Sequence, residues 1–297
     1  MKNYDYKKFY RNVPPDQVEK LRIFRSTHLY KHITADGITC KYISCGQGNE
    51  TLLLLTGGTG FSEDFFMHIM VLENEHQIIC PSYPPVTTME QLADGIIKIL
   101  EAKNIHKVNV LGLSFGGILA QVIVHKYAGR VNKMILSHTT TTSPPVDRAI
   151  MLERGKRVEK FLKIFPFLPI WLFRFMYKRQ ITKLADAIEF EEKEFWKAYL
   201  NEMISYITKE KQVSLYKCMI DFEQNYKFLK NNLINWPGKI LILESDNDPV
   251  FYPSEQDAVK ELYPKARVHT FKSSGHLTMI VKREEYISVV RKFLKGK

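Results

Sequence analysis

Residues 108–117 read Val-Asn-Val-Leu-Gly-Leu-Ser-Phe-Gly-Gly, and the architecture of the chain follows from them. Val108 to Leu111 is a short apolar run of the kind that forms a strand buried on both faces. A helical stretch follows from about Gly116 to Tyr127. Between the two lies Gly112-Leu113-Ser114-Phe115-Gly116, a G-x-S-x-G string. Alone the string is weak, because small residues are common. Between a buried strand and a helix it has the context of a nucleophile elbow, in which a sharp turn lifts the serine hydroxyl above the sheet. Ser114 is the candidate nucleophile.

The alternation extends in both directions. Upstream, Ile33 to Ser44 reads as a hairpin turning at Gly37, and Thr51 to Leu55 (TLLLL) as a strand ending in glycines. Gln77 to Cys80 reads as another strand, stopped by Pro81, and Thr87 with Glu90 as a capping box opening a helix through Ile96, Ile97 and Leu100. Downstream, Val131 to Ser137 is a further strand. Strand and helix alternating at this spacing predict an α/β fold, a mostly parallel sheet with helices on both faces. From about Thr141 to Trp236 the rhythm breaks into helical stretches punctuated by Pro144, Pro145, Pro166 and Pro169. After Pro237 it resumes with strands at Lys239 to Glu244 and Arg267 to Lys272 and a closing helix over about Arg283 to Leu294. The expected organisation is a core in two pieces, 1–140 and 237–297, with an all-helical cap, 141–236, inserted between them.

Composition bounds the function. Of 297 residues, 45% are hydrophobic and 25% charged, which excludes a disordered or collagen-like chain. The net charge of +11 comes without zinc-finger spacing, an RNA-binding aromatic signature or a dense basic tract, so a nucleic-acid partner is not expected. Cys40, Cys45, Cys80 and Cys218 form no C-x-x-C pair and no zinc cluster in sequence, which suits a reducing compartment. The first residues lack the apolar core of a secretory signal, and no run reaches the ~18 apolar residues of a membrane span. A cytoplasmic protein is expected, with no metal and no organic cofactor.

The elbow and its flanks resemble the α/β-hydrolase superfamily, over nearly the whole chain. That resemblance implies an eight-stranded type of sheet and a triad in the chain order nucleophile, acid, histidine. Ser245-Asp246-Asn247-Asp248-Pro249-Val250, after the strand KILILE, is similar to the family's acid segment; aligned on it, Asp248 is the acid and Asp246 the competitor. No carboxylate stands at Ser137-His138-Thr139, the less common acid position. Ser274-Gly275-His276-Leu277 resembles the S-G-H segment and makes His276 the base. Leu54 to Gly60 aligns with the family's L-H-G-G-P-G, with Thr56 and Thr59 in place of histidine and proline. The alignment implies an oxyanion hole from the backbone N–H groups of Gly58 and Phe115, and leaves the loop without its usual histidine brace.

The resemblance implies a serine hydrolase cleaving a carboxylic ester of a small to medium, apolar substrate through an acyl-enzyme. Ser114 stands against dehalogenase or epoxide hydrolase chemistry, where relatives use aspartate. Carbon–carbon bond hydrolysis by the same triad and a non-catalytic adaptor are the alternatives. Cys80-Pro81-Ser82-Tyr83-Pro84-Pro85, with the Thr139 to Thr142 run, is similar to the maspardin branch, whose members are discussed as adaptors as much as enzymes. The aromatic run from Phe161 to Tyr177 either packs the cap, lines an apolar pocket, or dips into a membrane surface helped by Lys163, Arg174, Lys178 and Arg179. A small molecule is the expected partner; oligomeric state is not legible.

Overall fold

Eight strands pair into one sheet in a computed structural model that describes residues 5–143, 148–186 and 191–296. Strands β1 (Lys31–Ala35) and β2 (Ile38–Cys45) form the hairpin expected at Gly37. Asp36 and Gly37 have φ of 50° and 75°, as a two-residue turn matched to the strand twist requires. The other strands are β3 (Thr51–Leu55), β4 (Gln77–Ser82), β5 (Val108–Leu113), β6 (Val131–Ser137), β7 (Lys239–Ser245) and β8 (Arg267–Phe271). Their order is β1-β2-β4-β3-β5-β6-β7-β8, antiparallel at β1–β2 and β2–β4 and parallel from β4 onward.

The run TLLLL is continuous because both of its faces are covered. Leu53 and Leu55 enter one core with Leu92 and Ile96 of the helix Met89–Ala102 and Leu119 of the helix Phe115–Lys126. Leu52 and Leu54 enter the other, with Leu21 and Phe24 of the helix Pro15–Thr27 and Val290 of the helix Arg283–Leu294. Alternation along a strand sends successive side chains to opposite faces, so a strand covered on both faces has no solvent-facing positions and its leucines run on without interruption.

Two local expectations are corrected. Strand β4 does not stop before Pro81 but runs to Ser82, with Pro81 opposite Tyr42 of β2. Its pairing with β3 ends at Ile79, so on that side no ladder needs a donor from Pro81. The helix Met89–Ala102 is capped by Thr88, whose hydroxyl accepts from the Gln91 N–H at 3.2 Å, and Gln91 accepts from the Thr87 N–H at 3.1 Å; the expected pair Thr87 and Glu90 is displaced by one residue. The helix Pro15–Thr27 was not expected, although Pro15 at its first position and Val18, Leu21 and Phe24 on its buried face are a readable signal.

Between β6 and β7 lie the helices Arg148–Ile164, Ile170–Asp186, Lys193–Ser205 and Lys209–Asn225, with no strand among the described residues. Pro144 and Pro145 lie outside the described residues. Trp196 and Tyr199 anchor this segment by packing on Phe66, with ring centroids 5.6 and 5.5 Å away. A buried ion cluster adds a second tie: Arg25 pairs with Glu63 at 2.6 Å and with Glu202 at 2.8 Å, and Tyr10 donates to Glu202 at 2.5 Å.

Candidate functional site

Ser114 occupies the one residue between β5 and the helix Phe115–Lys126, with φ 53° and ψ −115°. Two glycines make that turn possible. A Cβ on Gly112 would lie 2.2 Å from the Gly116 carbonyl oxygen, and one on Gly116 would lie 2.1 Å from that of Leu55. The strained serine is held on both sides, its N–H donating to the Ser137 carbonyl at 2.8 Å and its carbonyl accepting from the Thr139 hydroxyl at 2.8 Å.

The structure brings Ser114, His276 and Asp248 together from the carboxyl ends of β5, β8 and β7. His276 Nε2 lies 3.2 Å from Ser114 Oγ, and its Nδ1 lies 2.9 Å from Asp248 Oδ2. Asp248 also accepts the Val250 N–H at 2.8 Å. Burial opposes ionisation of Asp248, but the His276 imidazole and the Val250 N–H outweigh it and hold the carboxyl below its usual range. Asp248 is 1% exposed and His276 14%, so the carboxylate is sealed while the imidazole borders open space. Asp246 does not reach His276; it accepts the Ser273 N–H at 2.8 Å and pairs with Lys272 at 3.3 Å.

The loop carrying His276 is pinned by residues that sequence reasoning missed. Asn247 Oδ1 accepts the Gly275 N–H at 2.8 Å. His138, at the carboxyl end of β6 where no carboxylate stands, contacts the Thr278 hydroxyl through Nε2 at 2.7 Å and the Ser137 hydroxyl through Nδ1 at 3.0 Å. Burial, helped by the nearby His276, pushes the His138 imidazole down to about 3, so it is neutral near neutral pH.

Gly58 and Phe115 border the same cavity as Ser114. Phe115 is the first residue of its helix, so its N–H has no intrahelical acceptor. The Gly58 loop passes close to the elbow, since a Cβ on Gly57 would lie 3.6 Å from Ser114 Cβ. The loop has a brace in place of a histidine. Tyr83 donates its hydroxyl to the Thr56 carbonyl at 2.7 Å and its N–H to the Gly60 carbonyl at 3.0 Å, and Lys211 Nζ donates to the Gly60 carbonyl at 2.9 Å. Beyond the loop, Thr59 bonds Asp64, which burial pushes up to about 7 despite that bond and the nearby Lys211.

The cavity measures about 180 Å³. Ile118, Met219, Phe222 and Phe251 make its walls apolar, with Met219 and Phe222 coming from the helix Lys209–Asn225. Thr141 brings to it a buried hydroxyl with no hydrogen-bond partner among the described residues. A separate cluster, His28, Cys45 and Glu73, places three potential metal donors within 4.8 Å of one another; His28 Nε2 lies 2.8 Å from Glu73.

Residues 50–283 match the family model for the alpha/beta hydrolase fold. The chain belongs to the α/β-hydrolase family. Among curated proteins this chain is similar to maspardin of Danio rerio, 23% identical over 279 residues that cover 88% of it and 81% of the relative. It is also similar to a poly(3-hydroxyalkanoate) depolymerase of Ectopseudomonas oleovorans, 24% identical over 84% of this chain and 86% of the relative. Among solved structures, a meta-cleavage product hydrolase from Pseudomonas fluorescens superposes with TM-score 0.67 at 21% identity, covering 90% of this chain and 97% of that one. The maspardin likeness, read in sequence from two short segments, thus extends at low identity along most of the chain. Among the described residues no helix is long and apolar enough to cross a membrane.

Proposed function

We propose that this protein is a serine hydrolase that cleaves a carboxylic ester of a small, apolar substrate through an acyl-enzyme on Ser114. The observation that carries the reading is the continuous contact from Asp248 through His276 to Ser114 at the edge of an apolar cavity. In this reading His276 Nε2 takes the hydroxyl proton as Ser114 Oγ bonds the substrate carbonyl carbon. The carbonyl oxygen, now an alkoxide, accepts the N–H groups of Gly58 and Phe115. His276 then gives its proton to the departing alcohol, and a water, deprotonated by the same imidazole, releases the acid. Asp248, ionised and sealed from solvent, orients the ring and offsets its transient positive charge.

The helices between β6 and β7 act in this reading as a cap over the site, with Met219 and Phe222 as its contribution to the acyl pocket. A cavity of about 180 Å³ is smaller than the ~300–1,000 Å³ of common ligand pockets, which favours a short acyl group. The Thr141 hydroxyl, without a partner among the described residues, is a ready donor or acceptor for a polar atom on such a substrate.

A fluorophosphonate probe should label the purified protein at neutral pH, and Ser114→Ala should abolish labelling. Absence of labelling would overturn the reading. A series of p-nitrophenyl esters of graded acyl length, with Ser114→Ala as control, should show fastest turnover for the short members. Labelling without turnover of any ester would point to another bond, the carbon–carbon bond of a diketone included.

A further inference from the structure

The segment 160–185 carries six cations, Lys160, Lys163, Arg174, Lys178, Arg179 and Lys183, and no carboxylate. The same segment turns large apolar side chains to solvent. Phe167 is 86% exposed, Trp171 66%, Phe175 60% and Met176 58%. Trp171 and Phe175 lie four residues apart on the helix Ile170–Asp186 and so share a face, and Phe167 precedes Trp171 by four in the adjoining turn. This is not the face that packs the segment. Phe165 and Phe173 do that, both buried, with ring centroids 5.0 Å apart. The helix is therefore apolar on two sides, one occupied and one open. Lys178, Arg179 and Lys183 of this helix are exposed, as is Lys163 near the end of the helix before it.

We propose that this open face is a docking surface for anionic phospholipid bilayers. Charge complementarity selects the occupant. Phenylalanine and tryptophan rings seat at the boundary between headgroups and acyl chains, and a collar of lysine and arginine gains from lipid phosphates at the same depth. A second copy of the chain is a poor occupant, because pairing like face with like face would set these exposed cations against their own copies. The helix also packs against the turn Gly275–Leu277, which carries His276. Docking therefore brings the bilayer to an element adjoining the candidate site. On the hydrolase reading, on which only this last step rests, the substrate is an acyl ester held at that surface.

The test uses the full chain as Ser114→Ala, so that it reads binding without turnover and stands whether or not the hydrolase reading does. Flotation compares vesicles of phosphatidylcholine alone with vesicles of equal parts phosphatidylcholine and phosphatidylglycerol. Binding to the anionic vesicles is expected to be at least about tenfold tighter and to weaken as salt rises. Trp171→Ser with Phe175→Ser, and separately Lys178→Glu with Arg179→Glu, should each weaken it about tenfold or more. A charge reversal far from this face, Lys239→Glu with Arg267→Glu, should leave it within about twofold. Should one stripe variant fail to fold, as read from its thermal melt, the other reads the same face. Equal binding to both vesicle types, no binding at all, or equal losses in stripe and control variants would overturn the proposal; retention by an acidic protein without lipid binding would assign the face to that partner instead.

Discussion

The hydroxyl of Tyr83 donates to the carbonyl oxygen of Thr56 at 2.7 Å, across the base of the loop that carries Gly58. Thr56 stands where the family's pattern has histidine, Tyr83 belongs to the Cys80-Pro81-Ser82-Tyr83-Pro84-Pro85 segment, and the two meet. Tyr83 supplies from β4's exit the support that a histidine at position 56 would have given from within the loop. Tyr83→Phe removes only the donor and leaves a buried carbonyl unpaired, a loss of about 1–3 kcal/mol concentrated in this loop. If Gly58 stabilises the alkoxide, kcat on a p-nitrophenyl ester should fall roughly tenfold with KM nearly unchanged. An unchanged kcat would show that the loop holds its place without this bond.

Asp248 and Asp246 stand two residues apart and do different things. Asp248 faces the His276 ring, whereas Asp246 ties down the Ser273 N–H. Asp248→Asn should reduce kcat by roughly 10³–10⁴-fold, because an amide cannot hold the imidazole in the acceptor tautomer or offset its charge. Asp246→Asn keeps an oxygen for the Ser273 N–H and should cost only a few-fold, an order-of-magnitude expectation for a retained neutral hydrogen bond. Steady-state kinetics on the two variants, side by side, decides the assignment; the reverse ranking would exchange their roles.

Asp248 and Asp64 have opposite signs in pH. Asp248 is held below its ordinary 3.8, so its contribution to stability is present above that value and is lost only as pH falls through the lower folded one. Asp64 moves the other way, from 3.8 up to about 7. Its contribution is full below the unfolded value and is lost as pH rises through about 7. Asp64→Asn should therefore flatten the dependence of unfolding free energy on pH across that window, as read by urea titrations at several pH values.

What the sequence revealed and what it hid divide along one physical line. The elbow was legible because its glycines answer to local geometry: Gly112 and Gly116 leave no space for a Cβ. TLLLL was legible because four consecutive leucines admit few surroundings. The meeting of Ser114, Asp248 and His276 was inferred from order along the chain, which the family resemblance supplied and the residues alone did not. The brace at Tyr83 and the pinning of the His276 loop were not legible, since each depends on a partner fixed only by folding; His138 and Thr278 are 140 residues apart. The helix Pro15–Thr27 was hidden for a related reason. Its inward face carries Arg25, a residue expected in water, and the partners that allow its burial stand 38 and 177 residues away.

That buried arginine makes the last expectation. Arg25, Glu63 and Glu202 have side chains 3%, 4% and 0% exposed, and Tyr206 adds a hydroxyl to Glu202 at 2.9 Å. The cluster joins the helix Pro15–Thr27, the turn Ser62–Phe65 beyond the Gly58 loop and the helix Lys193–Ser205. Breaking a buried pair from one side strands the other charge, so Arg25→Met should lower the unfolding free energy by about 3–5 kcal/mol. Removing the charge altogether should not. The triple variant Arg25→Met, Glu63→Gln, Glu202→Gln leaves no buried ion and should recover more than half of that loss, because of the Tyr10 and Tyr206 hydroxyls, which face different oxygens of Glu202, one can still donate to the new amide oxygen and the other can accept from its NH2 group. Urea unfolding of the three proteins separates the two cases: equal destabilisation of single and triple variants would mean that the cluster acts through the arginine's packing rather than through its charge.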